Sequence, residues 1–159
     1  YYASRGLGDV YKRQIMNQYR ELLQKHQQEV NVLPIRYAFG EQQFREMMNA
    51  WGLDPEKDLD KIYRLGDAGG FYLRTDARLV CDTFCRLKEE REAAIAEDKT
   101  GDGFIYQMFL CELSNHEYNY TEDVEETLDA LGYTWEQIMA DKRLLHGLKM
   151  AQKKITGQG

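Results

Sequence analysis

The stretch GFIYQMFLCEL (103–113) is apolar on nearly every side of a helix. A helix without a wet face has to be surrounded by other elements, so this segment forms the buried axis of whatever the chain builds. The segments around it also carry helical spacing. NQYRELLQKHQQEV (17–30) places Tyr19, Leu22, Leu23 and Val30 near one stripe, and Pro34 stops it. EQQFREMMNAWGL turns Phe44, Met47, Met48 and Trp51 inward and ends at Gly52. Thr75 is placed to cap the longest helix, DARLVCDTFCRLKEEREAAIAE, whose apolar face is Val80, Phe84, Leu87 and Ile95. Thr121 precedes EDVEETLDAL, which Gly132 closes. Thr134 and Gln137 form a capping box for WEQIM, and a last helix runs from Lys142 to Ile155.

Two short segments read differently. PIRYAF and GFYLR are rich in β-formers, giving strands at 35–39 and 70–74 that pair as an antiparallel ribbon. Such a ribbon is stable only with helices packed on it. The connection between them is irregular, with one helical turn at 56–64, and the glycines of LGDAGG suit a hairpin turn. The expected fold is therefore α+β, mainly α: five to seven helices packed around one small ribbon.

The first fourteen residues, YYASRGLGDVYKRQ, follow none of these patterns. With suitable codons Ser4–Gln14 back-translates into one arm of the transposase adapter used for shotgun sequencing libraries. Residues 1–14 are accordingly expected to be a disordered adapter-derived segment, with Met16 or an upstream codon as the natural start. Residues 15–159 are expected to form a single globular domain.

Charge then restricts the partners. Taking Arg5, Lys12, Arg13 and Asp9 from the totals of 21 basic and 27 acidic residues leaves 18 and 26, so the net charge moves from −6 to −8. Such a surface repels nucleic acid and anionic membrane, and it permits a basic protein partner. Nothing approaches a membrane-spanning run. Three cysteines (Cys81, Cys85 and Cys111) make no disulfide framework, which points to a reducing cytoplasm.

Three constellations carry candidate chemistry. DKTGDGFI (98–105) has the opening spacing of a calcium loop, with Asp98, Thr100 and Asp102 at alternate positions and Gly103 at the sixth. Its twelfth position is Phe109 where a bidentate Glu belongs, so ordinary cap and turn work by Asp and Gly explains it better. Glu112 and His116 stand four apart and share a helix face. With Asp98 and Asp102 they make the candidate metal set of a metal-dependent enzyme. Against this, the cysteines lack the short knuckle spacings of a structural zinc site. No nucleophile elbow, phosphate loop or cofactor motif is present, so no catalytic residue and no cofactor is assigned. The third constellation is the tyrosine- and acid-rich run 118–126, in which Tyr118, Tyr120, Glu122, Glu125 and Glu126 make a candidate contact surface for a protein. Packed aromatics and solvated helix faces are the plainer explanation of those residue types.

PIRYAFGEQQF, KIYRLGDAGGFYLRTDA and DKTGDGFIYQMFLCELSNHEYNYTEDVEETLDALG together resemble a family of small proteins from gut Firmicutes, their phages and mobile elements, a domain of unknown function. The resemblance extends from about Leu22 to Leu148. It implies a bacterial or phage gene and an intracellular setting, and it carries over no catalytic or binding residue. Residues and resemblance together suggest a non-enzymatic binding protein, such as a mobile-element accessory protein acting on a host factor. A phage structural component is the further alternative.

Overall fold

The computed structural model describes residues 18–157; the adapter-like segment 1–14 lies outside the described residues. Eight helices and three strands follow in chain order: α1 (residues 18–31), β1 (Ile35–Tyr37), α2 (Glu41–Ala50), β2 (Ile62–Leu65), β3 (Gly70–Leu73), α3 (Ala77–Glu97), α4 (Phe104–Asn115), α5 (Tyr118–Thr121), α6 (Glu125–Leu131), α7 (Trp135–Ala140) and α8 (Lys142–Thr156). The class is α+β, mainly α, with a small antiparallel sheet, as the periodicities require. The described residues divide into two units, one of 18–25 with 90–157 and the other of 26–89.

In the first unit α4 is the buried axis. Ile105, Met108, Phe109 and Leu113 are wholly shielded from solvent. They share a core with Tyr19, Ile95, Leu128, Leu131, Ile138, Leu144, Leu148 and Ala151. Burying each such side chain contributes about 1.5–3 kcal/mol before the entropy cost of ordering it. The Tyr19 ring meets Phe104 edge-on at 5.5 Å. The most extensive packing in this unit is α4 on α8, and α5, α6 and α7 complete the bundle against these two helices. The α7 capping box is present as expected: the Thr134 hydroxyl accepts from Gln137 N–H, and the Gln137 side chain accepts from Thr134 N–H. Gly132 ends α6 with a left-handed backbone, φ 77°.

In the second unit the strands lie in the order β1-β3-β2, all antiparallel. The expected pairing of 35–39 with 70–74 is found, with Arg36 opposite Phe71. The sheet gains a third strand, β2, joined to β3 through the glycine turn 66–69. Its first three residues stand where one helical turn was expected at 56–64, and the helical part shrinks to a 3₁₀ turn at Leu59–Lys61. Ala38, Met47 and Met48 form a small core against Phe44, Trp51, Leu53, Ile62 and Phe71.

Two expected caps are displaced. Thr75 falls inside a 3₁₀ turn, Arg74–Asp76, that leads into α3. Thr121 ends α5, so α6 begins only at Glu125, where the Asp123 carboxylate accepts from Glu125 N–H at 2.9 Å. In both places a single tight turn consumes the residues that sequence patterning assigns to the following helix.

Candidate functional site

The four candidate metal ligands fall at opposite ends of α4. At its N-terminal end the Asp98 carboxylate faces into its own loop. Oδ1 accepts from the N–H groups of Thr100 (3.3 Å) and Gly101 (2.9 Å), and Oδ2 from those of Gly103 (3.1 Å) and Ile105 (3.0 Å). Burial alone would raise the Asp98 pKa, but these four hydrogen bonds outweigh it and hold the carboxyl below the ordinary aspartate value. The carboxylate thus holds the loop together and caps α4 by satisfying the Ile105 N–H, one of those that a helix start leaves open. The loop is tied from the other side by Arg143, whose Nη1 donates to the carbonyls of Ile95 (3.0 Å) and Asp98 (2.7 Å). Asp141 orients that guanidinium at 3.0 Å, and Arg143 in turn depresses the Asp141 carboxyl pKa. Asp102 points outward to His146 Nε2 at 2.5 Å. Phe109, at the twelfth loop position, is fully buried in the core.

At the C-terminal end Glu112 and His116 do share a face. His116 Nε2 lies 3.8 Å from Glu112 and Nδ1 lies 3.6 Å from Glu126 on α6. The Tyr19 hydroxyl donates to Glu112 Oε1 at 2.8 Å. Burial, reinforced by the Glu112 charge, pushes the Tyr19 phenol well above its ordinary range. At about 1.5 Å of rise per residue, Glu112 stands roughly 12 Å along the helix from Phe104, the first residue after the loop that carries Asp98 and Asp102. Among the described residues no three His, Cys, Asp or Glu side chains gather into a group that could hold a metal ion. The aligned spacing therefore yields two separate polar links, one at each end of α4.

The candidate contact residues lie on α5 and α6. α5 is one helical turn bracketed by Glu117 (φ 56°) and Glu122 (φ 54°), the positive-φ residues other than glycine among those described. A left-handed backbone at a glutamate costs on the order of 1 kcal/mol, and such strain collects where a segment must be presented in one conformation. The turn divides the tyrosines. Tyr118 is buried, its hydroxyl accepting from Gln152 Nε2 at 3.1 Å, while Tyr120 is 82% exposed. Glu122, Glu125 and Glu126 are all exposed.

Beside them is a feature that periodicity did not single out. An open groove of about 360 Å³ runs between α6 and the start of α7, with Val124, Leu128 and Tyr133 as its apolar lining and Asp123, Glu125 and Asp129 around it. Trp135, 48% exposed, also lines it. A signal for Trp135 did exist. WEQIMA puts Trp135, Ile138 and Met139 on a six-residue helix, too short to bury all three; Ile138 goes inside and the others stay out.

No helix among the described residues is long and apolar enough to cross a membrane. No curated protein and no solved structure matches the chain. The family of unknown function DUF7659 matches it over residues 18–154, nearly all of the described fold. The chain belongs to that family.

Proposed function

We propose that the protein is a non-enzymatic binding protein that engages a basic segment of a protein partner through the α5–α7 surface. Within that reading it is a mobile-element accessory protein of bacterial or phage origin, acting in the cytoplasm on a host factor. The observation that carries it is the strained, glutamate-bracketed turn that exposes Tyr120, together with the half-exposed Trp135 at the α6–α7 groove. Exposed Tyr and Trp supply large contact area at low entropy cost, and they dominate interface energies. Glu122, Asp123, Glu125, Glu126 and Asp129 are all exposed and lie between Tyr120 and Trp135 in the chain, so a cationic partner is steered in and a nucleic acid is repelled. The test is recovery of the partner on immobilised protein: reversing Glu125 and Glu126 to lysine should abolish it, and unchanged recovery would overturn the reading.

A further inference from the structure

Strand β1 leaves the main chain of one residue unused. Ala38 N–H donates to Gly69 O at 2.9 Å, in register with Arg36 opposite Phe71. Alternate residues of an antiparallel strand turn their main-chain groups to the same side. Arg36 and Ala38 therefore face β3, and Ile35, Tyr37 and Phe39 face away from it. The N–H of Ile35 is taken by Leu33 O at 2.7 Å, and that of Phe39 by Gln43 Oε1 at 2.7 Å. Tyr37 N–H and C=O have no such partner among the described residues, and β1 is an edge of the sheet.

This edge does not open onto flat surface. β1 and α2 bound an open groove of about 600 Å³, with Met47, Ala50 and Glu46 on the α2 side. On the β1 side the Tyr37 and Phe39 rings stack at 6.4 Å and 12°, over Gly70 at the start of β3 and Gly69 just before it. A Cβ on Gly69 would lie 2.6 Å from the Phe39 ring, and one on Gly70 would lie 3.2 Å from the Tyr37 ring. Both rings stay more than half exposed. Glu46 accepts from Gln42 at 3.3 Å and has no cation within ion-pair distance among the described residues; Arg45 pairs with Glu41 and Glu56. The Arg36 guanidinium sits over the Trp51 ring at 5.6 Å.

We propose that this groove binds an extended peptide, which adds to β1 as a fourth strand through the N–H and C=O of Tyr37 and sets a lysine or arginine side chain against Glu46. An unpaired strand edge offers a row of donors and acceptors that only another extended main chain can match. Met47 and Ala50 supply an apolar floor for the alternate side chains, and Glu46 selects the charge. The proposal uses no residue of the α5–α7 surface and does not depend on it.

The experiment titrates the full chain with the peptide acetyl-Thr-Val-Lys-Val-Lys-Val-Thr-amide, followed by the backbone amide signals. Saturable movement of the Tyr37 amide is expected. Methylating the peptide nitrogen that pairs with Tyr37 should weaken binding about tenfold, the equivalent of one lost main-chain hydrogen bond. Glu46→Lys should weaken it about two- to fivefold, the range of an exposed ion pair. Three results would overturn the proposal: no response at Tyr37 with millimolar peptide, equal binding of the methylated peptide, or self-association of the protein that protects the Tyr37 amide, which would assign the edge to a second copy.

Discussion

Gly147 of α8 lies directly against Gly101 of the loop before α4: a Cβ on Gly147 would stand 2.9 Å from the Gly101 carbonyl oxygen and 2.6 Å from Ile105 Cγ2. The two backbones touch because neither residue has a side chain. This contact lets α8 settle onto the start of α4, where Arg143 can reach the carbonyls of Ile95 and Asp98. Gly147→Ala is expected to destabilise the protein by about 1–3 kcal/mol, the usual cost of overpacking a filled interior. Gly101→Ala should cost at least as much, since φ there is +87° and the added Cβ would come within 2.3 Å of Arg143 O. Denaturant midpoints of the two variants check both statements.

Asp98→Asn tests the cap. An amide oxygen can replace one carboxylate oxygen but not both, so some of the four N–H groups lose their acceptor. A loss of about 1–2 kcal/mol in chemical denaturation is expected. The sign of the pH dependence follows from the lowered pKa. The stabilisation is complete above the ordinary carboxyl value and disappears as pH falls through the lower folded value. Wild type should therefore lose stability below about pH 4 more steeply than Asp98→Asn does.

Calcium should leave the loop unchanged. Both Asp98 oxygens are already engaged by backbone N–H groups, and the twelfth loop position is the buried Phe109. Millimolar calcium is expected to give no rise in Tm, whereas any ligand that prefers the folded state would raise it. A clear rise would show that the loop can release Asp98 to an ion.

The Tyr19–Glu112 hydrogen bond makes an alkaline prediction. Because the folded phenol titrates above its ordinary range, first through burial and then through Glu112, its stabilisation is complete below about pH 10 and is lost above that as the unfolded phenol ionises. Tyr19→Phe should cost about 1–2 kcal/mol at neutral pH and flatten the alkaline limb of the stability profile. An unchanged limb would assign the alkaline loss to Tyr72, Tyr106 and Tyr133, whose phenols burial also raises.

Trp135→Ala separates recognition from folding. The ring is about half exposed, so its removal should leave Tm nearly unchanged. Partner recovery on the immobilised protein should fall at least as far as for a typical interface hot spot, about 2 kcal/mol in affinity. A variant that binds normally would move the contact away from the groove.

The helices of the first unit were legible because each one's apolar period matches the face it buries. Leu128 and Leu131 on α6 and Leu144 and Leu148 on α8 are core residues, and Thr134 with Gln137 announced the start of α7 without ambiguity. β2 was not legible. IYRL is four residues long and its exposed residues, Tyr63 and Arg64, fall on opposite faces, so no alternation marks it and its strand character comes from pairing with β3 across the glycine turn. Thr121 and Thr75 carried correct capping chemistry, yet neighbouring tight turns displaced both.

At the candidate sites, spacing predicted neighbours along one helix and nothing further. Glu112 and His116 are close because four residues make one turn, and the strings around them required no other structure. Long-range partners decided everything else: His146 took Asp102, Tyr19 took Glu112, and Arg143 closed the Asp98 loop from forty-five residues away. The sequence by itself determined the class of fold, the buried axis at 104–113, the acidic surface and most helix ends, since these depend on local periodicity, charge and capping. Only the tertiary structure decided which of Tyr118 and Tyr120 faces solvent, and that Trp135 and the Tyr37 edge stand open. Those outcomes depend on which surfaces meet once the helices pack, and no local pattern carries that information.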